Sequence, residues 1–227
     1  MYVKDHMTKD PVTVTPGTTV SKALDLMNTG KFHQIPVIDP MGRLIGLITE
    51  GLISDSSRAT TTSLSIYELN YLLSRTRVSD IMLTDVVTIT PNVFLEEAAQ
   101  IMADHRVGVL PVVDEERHVL GILTDKDVFE ALSKIMGYHQ PGTRFVIACK
   151  DEPGEFMKIC RLFADENANL ENLAVCHSEE RGVEVIIKAS GSVPVETMMK
   201  ILQDAGFELR NVVQTEKSGK RVVWMKA

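Results

Sequence analysis

A gap-free internal repeat constrains this chain more than any other feature. Gly46-Leu47-Ile48-Thr49-Glu50-Gly51-Leu52 recurs as Gly121-Ile122-Leu123-Thr124-Asp125-Lys126-Asp127, an offset of 75 residues. The same offset carries Val3, Asp5 and Met7 onto Val78, Asp80 and Met82. It carries Val12-Thr13-Val14-Thr15-Pro16 onto Val87-Thr88-Ile89-Thr90-Pro91, and Ile35-Pro36-Val37-Ile38-Asp39 onto Leu110-Pro111-Val112-Val113-Asp114. Register kept over so long a stretch marks a duplicated supersecondary unit. Both copies are expected to share one fold and to bury their sheets against each other.

The most informative stretch of each copy is the strand-to-helix junction. Val119 to Leu123 is an apolar β-type run that ends at Thr124, and a helix is expected over Lys126 to Met136 with Asp127 in its first turn. Such a junction gathers free backbone N–H groups and the positive end of a helix dipole, which suit a phosphate. A hydroxyl can donate to the same phosphate, and a carboxylate suits a ribose diol. Taken alone, a Thr or Asp there is equally well read as a helix cap. The first copy keeps Thr49 but has Leu52 where the second has Asp127. A diol facing leucine loses an acceptor, at roughly 1–3 kcal/mol per buried unpaired group.

Other elements follow from apolar spacing and turn residues. Val12 to Val14 reads as a short strand, and Thr18 as the N-cap of a helix over 19–29 whose apolar stripe is Val20, Ala23, Leu24 and Met27. Ile35 to Ile38 and Leu44 to Ile48 read as strands. Residues 54–64 are rich in Ser and Thr and read as a loop, and Ser65-Ile66-Tyr67-Glu68 reads as a capping box opening a helix through Leu73. In the second copy Asn92 is expected to cap a helix, and Val109 to Val113 to form a strand. His139 to Gly142 reads as a linker.

The last third alternates as βαββαβ. Strands are expected at 144–149, 169–176, 183–189 and 207–214, with helices after Pro153 and from Pro194 to Ala205. That order is a ferredoxin-like split βαβ. Val222-Val223-Trp224-Met225 adds one more strand. The fold class is therefore α/β (α+β). Its parts are 1–58 and 78–138 for the repeats, 59–77 for a linker with a short helix, and 143–227 for the final unit.

These motifs resemble known families. Met-Thr-x-x-Pro-Val-Thr-Val, Ile-Pro-Val-Ile-Asp and Gly-x-Ile-Thr in the first copy, recurring in order with substitutions in the second, resemble a tandem pair of CBS domains, a Bateman module. Asp151-x-Pro153-Gly154 followed by Asn169-Leu170 resembles an ACT domain. A CBS pair followed by an ACT unit resembles the acetoin-utilisation AcuB-type proteins. The CBS resemblance implies that Thr124 and Asp127 hold phosphate and ribose of an adenosine compound: AMP, ADP, ATP or S-adenosylmethionine. It implies an adenine wall of Val87, Thr88, Val109, Leu110 and Pro111, and a basic residue toward the cleft at His33 or Arg106. Thr49 marks the weaker first-copy site. The ACT resemblance implies a small metabolite near Asp151, Gly154 and a partner subunit's Asn169. Both resemblances imply a homodimer.

Composition narrows the function classes. A net charge of −7 argues against a broad nucleic-acid or anionic-membrane surface. No apolar run approaches the ~20 residues of a bilayer span, and the first residues carry no apolar signal region, so a cytoplasmic protein is expected. Cys149, Cys160 and Cys176 are odd in number and form no CxxC pair; they read as small buried hydrophobes, and no metal site is expected. No nucleophile elbow, HExxH or P-loop is present. The sequence thus reads as a non-catalytic regulatory sensor without a cofactor, acting on a regulated enzyme or transporter. The alternative is a ligand-free dimerisation scaffold.

Overall fold

The protein is described by a computed structural model covering residues 1–60 and 66–226. It divides into two compact units, Met1–Phe129 and Glu130–Ala227. In chain order the repeats contribute β1 (Thr8–Lys9), α1 (Val20–Gly30), β2 (Gln34–Ile38), β3 (Leu44–Thr49), α2 (Glu50–Thr60), α3 (Ile66–Arg75), α4 (Leu95–His105), β4 (Val109–Val113), β5 (Val119–Thr124) and α5 (Asp125–Ile135). The helix α5 starts in the first unit and ends in the second.

The cores of the two repeats match position by position. Val20, Ala23, Met27, Ile35, Val37 and Ile48 are buried in the first, and Leu95, Ala98, Met102, Leu110, Val112 and Leu123 in the second. The i, i+3, i+7 stripe of α1 and of α4 packs on the strands behind it. Methionine at both stripe ends fills the gap that a stiffer side chain would leave.

The repeats also exchange strands. β1, from the first repeat, pairs antiparallel with β5 of the second, Thr8 opposite Ile122. Reciprocally, Leu83 of the second repeat bridges Leu47 in β3 of the first, with both N–H···O bonds at 2.9 Å. Further toward the N-terminus, Val3 N–H donates to the Val93 carbonyl and Val78 N–H to that of Thr18, each at 2.9 Å. The glycine of each Gly-x-Ile-Thr or Gly-x-Leu-Thr motif permits this approach. A Cβ on Gly121 would stand 2.5 Å from Met7 Sδ and 3.0 Å from the Thr8 carbonyl oxygen; one on Gly46 would stand 2.6 Å from Met82 Sδ and 2.9 Å from the Leu83 oxygen.

Several local expectations are corrected. Val12 to Val14 is not a strand; Val14 makes a single parallel bridge to Val37. The N-cap of α1 is Thr19, which accepts from Lys22 N–H, while the Thr18 hydroxyl turns back to Thr15. Asn92 does not cap α4. The cap position is Phe94, the Leu95 N–H is satisfied by the Met1 carbonyl, and Asn92 accepts from Lys4 Nζ. Residues 54–60 are helical, because Ile53 anchors α2 in the first-repeat core and the Ser56 hydroxyl donates to the Ile53 carbonyl. Tertiary burial there overrides a composition that favours loops. The cap expected at Ser65 falls outside the described residues.

The second unit adds β6 (Gly142–Cys149), α6 (Glu155–Asp165), β7 (Asn169–Ser178), β8 (Gly182–Ser190), α7 (Val195–Asp204), β9 (Glu208–Thr215) and β10 (Arg221–Met225). Its five strands run antiparallel in the order β10-β9-β6-β8-β7. The first four, β6 to β9, realise the βαββαβ order read from the sequence, and β10 extends one edge beside β9. Gly142 begins β6 rather than belonging to a linker. Ile159 and Phe163 of α6, with Met198 and Leu202 of α7, pack on Phe145, Ile147, Val185, Ile187 and Val212. Phe145 and Phe163 meet edge to face at 5.3 Å. Alternation along the strands sends Arg144, Val146, Ile186, Lys188 and Val213 to the opposite face.

Candidate functional site

The strand exchange decides what faces the Thr124–Asp127 junction. The cleft there, about 530 Å³, is lined from the second repeat by Ile122, Thr124, Asp125, Lys126 and Asp127. The remaining wall comes from the first repeat: Thr8 and Asp10 to Val12 on one side, Gly30 to Gln34 on the other. Lys31 enters on a left-handed backbone, φ 55°, that ends α1; Arg106 repeats that conformation, also φ 55°, at the end of α4.

Thr124 and Asp127 form a reciprocal cap. Asp127 Oδ2 accepts from the Thr124 N–H at 2.8 Å and from its hydroxyl at 2.7 Å. The Asp127 N–H reaches Thr124 Oγ1 at 3.4 Å. Both short bonds fall on one oxygen, so Oδ1 is the acceptor left for a ligand. The expected free N–H groups are not found here. Asp125 N–H donates to the Gly108 carbonyl and Lys126 N–H to the Asp125 carboxylate. The cations on the cleft wall are the side chains of Lys31, Lys126 and, when protonated, His33. His33 Nδ1 lies 2.7 Å from Glu50 Oε2. Val12, Phe32 and Ile122 supply apolar surface for a base.

In the first repeat the Leu52 N–H donates to Thr49 Oγ1 at 3.2 Å, and the return bond is missing. Leu52 packs instead on the first-repeat core.

The structure thus brings Thr124, Asp127 and His33 to one cleft. It does not bring Val87, Thr88, Val109, Leu110, Pro111 or Arg106 there. Leu110 and Pro111 are buried inside their own repeat. The cleft wall comes from their first-repeat counterparts, since Val12 stands where Val87 stands and Gln34 where Val109 stands. Sequence reasoning missed Lys31, Phe32 and Val12. The signal was the pair of motif glycines, whose missing side chains admit the exchanged segment.

At the other candidate site Asp151 and Gly154 sit beyond the end of β6, with Gly154 as the N-cap of α6 at φ 94°. Pro153 immediately precedes that cap. A shallow hollow of about 450 Å³ there includes Asp151, His177 and Gly182. Asn169 begins β7 at the opposite end of the sheet, opposite Ser190, and donates to Glu171. One chain does not bring these three residues together.

Two expectations about other groups change. Cys176 is exposed, and Cys149 and Cys160 are half-buried. Burial pushes the thiols of Cys149 and Cys160 above their ordinary pKa, and Glu155 and Asp151 push Cys149 further. His118 is not isolated. Its Nδ1 lies 2.9 Å from Asp114 Oδ2 and 3.7 Å from Glu116 Oε2, a trio able by type to hold a metal ion. Asp114 Oδ1 already accepts from the N–H groups of Glu116 and His118, which closes the β4–β5 turn without an ion. No helix among the described residues is long and apolar enough to cross a membrane.

The duplicated sheet-and-helix unit and its cleft define a CBS pair. A model of the CBS domain matches residues 3–55 and 78–134, and the chain belongs to the CBS-domain family. The structure of CBSX2 in complex with AMP aligns at TM-score 0.50 with 30% identity, covering 59% of this chain and 97% of that one. A structure described as an acetoin utilization protein (AcuB) from Vibrio cholerae aligns at TM-score 0.51 with 26% identity, covering 60% of this chain and 93% of that one. The inosine-5'-monophosphate dehydrogenase of Methanocaldococcus jannaschii is 29% identical over 158 residues. That match takes 70% of this chain but spans only 29% of the enzyme.

Proposed function

We propose that this protein is a non-catalytic sensor of an adenosine-containing ligand, bound in the cleft between Thr124–Asp127 and the first-repeat residues Val12, Lys31, Phe32 and His33. The observation that carries the reading is the strand exchange. It supplies an apolar wall, two basic side chains and a carboxylate acceptor around one volume of nucleotide size. The AMP complex of CBSX2 supports an adenine nucleotide as the first ligand to try. Thr124 and Asp127 are read as binding groups, since their mutual hydrogen bonds form a helix cap. A bound ligand would act on a regulated enzyme or transporter only through different affinity for two states.

The second unit is proposed as an ACT-type domain, on its βαββαβ order and the Asp151-x-Pro153-Gly154 turn, with a small metabolite as its ligand. We read the protein as a cytoplasmic homodimer of the AcuB type. The exposed apolar side chains Phe129, Leu132 and Ile135 on α5 support self-association. A second reading, a ligand-free scaffold, is favoured by the closed cap between Thr124 and Asp127, which satisfies both groups without a nucleotide.

Calorimetric titration of the full chain with AMP, ADP, ATP and S-adenosylmethionine decides between them. The sensor reading expects saturable binding of at least one of the four, with no turnover of the bound compound. Heats no larger than dilution for all four would leave the scaffold.

A further inference from the structure

The face of the five-stranded sheet opposite α6 and α7 carries a charge that the fold does not neutralise. Lys188 lies in β8, with Arg144 directly across on β6 and Asn172 directly across on β7. Its side chain is only 3% exposed. Gly142 closes over its stem, so near that a Cβ there would meet Lys188 Cε at 3.4 Å. Arg221 of β10 comes to the same corner, its guanidinium 5.0 Å from the Tyr138 ring and bonded to the Tyr138 hydroxyl at 3.3 Å. Among the described residues no acid pairs with any of the three cations. Glu171, on the adjacent strand, is taken by the Ser190 hydroxyl and Asn169.

Arg144 Nε is itself buried and unpartnered, whereas the Asn172 amide, on the far side of Lys188, donates to the Ile135 carbonyl at 2.6 Å. A buried ammonium or guanidinium without a counter-charge is costly, and native interiors pair such groups. The missing group must therefore accept from Arg144.

We propose that Arg144, Lys188 and Arg221 form an anion site, and that its ligand is a small oxyanion: an inorganic phosphate or a small carboxylate. The oxyanion lies against the three cations and accepts from Arg144 Nε. Burial lowers the Lys188 pKa, and the Arg221 and Arg144 charges lower it further. The site lies wholly within the second unit and is independent of the nucleotide reading.

The test uses the full chain at constant ionic strength, with chloride as the background salt. Trp224, the one tryptophan, lies on β10 close to Arg221 and reports by fluorescence, and thermal melting gives a second readout. Inorganic phosphate and lactate are titrated separately, which distinguishes the two ligand classes. One of them is expected to shift the fluorescence saturably and to raise the melting temperature. Lys188→Met keeps the stem and removes the charge. It is expected to weaken that anion by about tenfold or more and to melt higher than the wild type in chloride alone. Arg221→Gln, at an exposed position, is expected to weaken it too, and covers the case of a Lys188 variant that does not fold. Lys31→Ala, which removes the cation on the wall of the nucleotide cleft, must leave the response unchanged, which separates it from any anion held there. No saturable response to either anion, or a response equal in wild type, Lys188→Met and Arg221→Gln, overturns the proposal.

Discussion

The two repeats have the same core, the same bridges and the same exchanged segments, yet their strand-to-helix junctions are unlike. The first ends in Thr49 with Leu52 three residues on, and the hydroxyl caps α2 alone. The second ends in Thr124 with Asp127, and each side chain answers the other. The core residues are held in place by packing, which tolerates only small changes in volume. Position 127 stands at a cleft edge, where packing demands little, whereas position 52 packs on the first-repeat core. Leucine there extends the core, whereas aspartate offers an acceptor. Duplication thus preserved an architecture and left one polar position free to differ.

The sharpest way to break this comparison is to remove Asp127. Asp127→Ala is expected to weaken adenine nucleotide by about tenfold to a hundredfold, the loss of a charge-assisted hydrogen bond of roughly 1.5–3 kcal/mol. Leu52→Ala should lower stability and leave affinity within about twofold, since a truncated core side chain acts on folding. Isothermal titration of both variants gives the answer, and equal losses of affinity would remove the distinction between the repeats.

Where the repeats are alike, variants should be alike. Gly46→Ala and Gly121→Ala each drive a methyl into a methionine sulfur and a backbone carbonyl of the other repeat. Each is expected to cost about 1–3 kcal/mol by overpacking, measured by urea denaturation. A loss confined to one of them would mean that the exchange is not reciprocal in energy.

The basic wall gives a smaller contrast. Lys31→Ala should reduce nucleotide affinity about threefold, and less at high salt, as a partly solvated phosphate contact does. Arg106→Ala, the matching substitution, should change nothing at this cleft. An unchanged affinity for Lys31→Ala would place the phosphate elsewhere.

The smallest difference lies in the turns. Asp39 is held below its ordinary pKa chiefly by the Arg43 N–H; burial pushes Asp114 up, but the N–H and ring of His118 bring it below its usual value. A depressed folded pKa contributes stability above the unfolded value near pH 4, which is lost as pH falls through the folded one. Both carboxyl resonances should therefore titrate late in an NMR acid series. A midpoint at or above the ordinary value for either would contradict its hydrogen bonds.

Much of this was legible in the sequence. The repeat foretold matched cores, because periodic apolar residues have few ways to be buried. The last third foretold its strand order, because βαββαβ connections admit few topologies. The junction residues Thr124 and Asp127 were legible as a pair. Their surroundings were not, because the motif says nothing about which repeat's segment covers it. The wall assigned to Val87 and Val109 belongs to Val12 and Gln34, and only the glycines at 46 and 121 hinted at it. The helix over 54–60 was hidden for another reason: one buried isoleucine outweighs a run of polar neighbours.

The crossed placement of β1 and Leu83 bears on how such a chain can be cut or built. Neither half is a self-sufficient piece, since each lends its opening segment to the other. A fragment with a single repeat would keep an unfilled groove beside its Gly-x-Leu-Thr or Gly-x-Ile-Thr strand and a loose arm that fits that groove in another molecule. Two such fragments could clasp each other and recover the architecture as a pair of short chains. Joining them end to end turns that mutual embrace into an internal one. Only after joining can the two junctions acquire separate fates, since in a pair of identical chains position 52 could not become leucine while its twin remained aspartate.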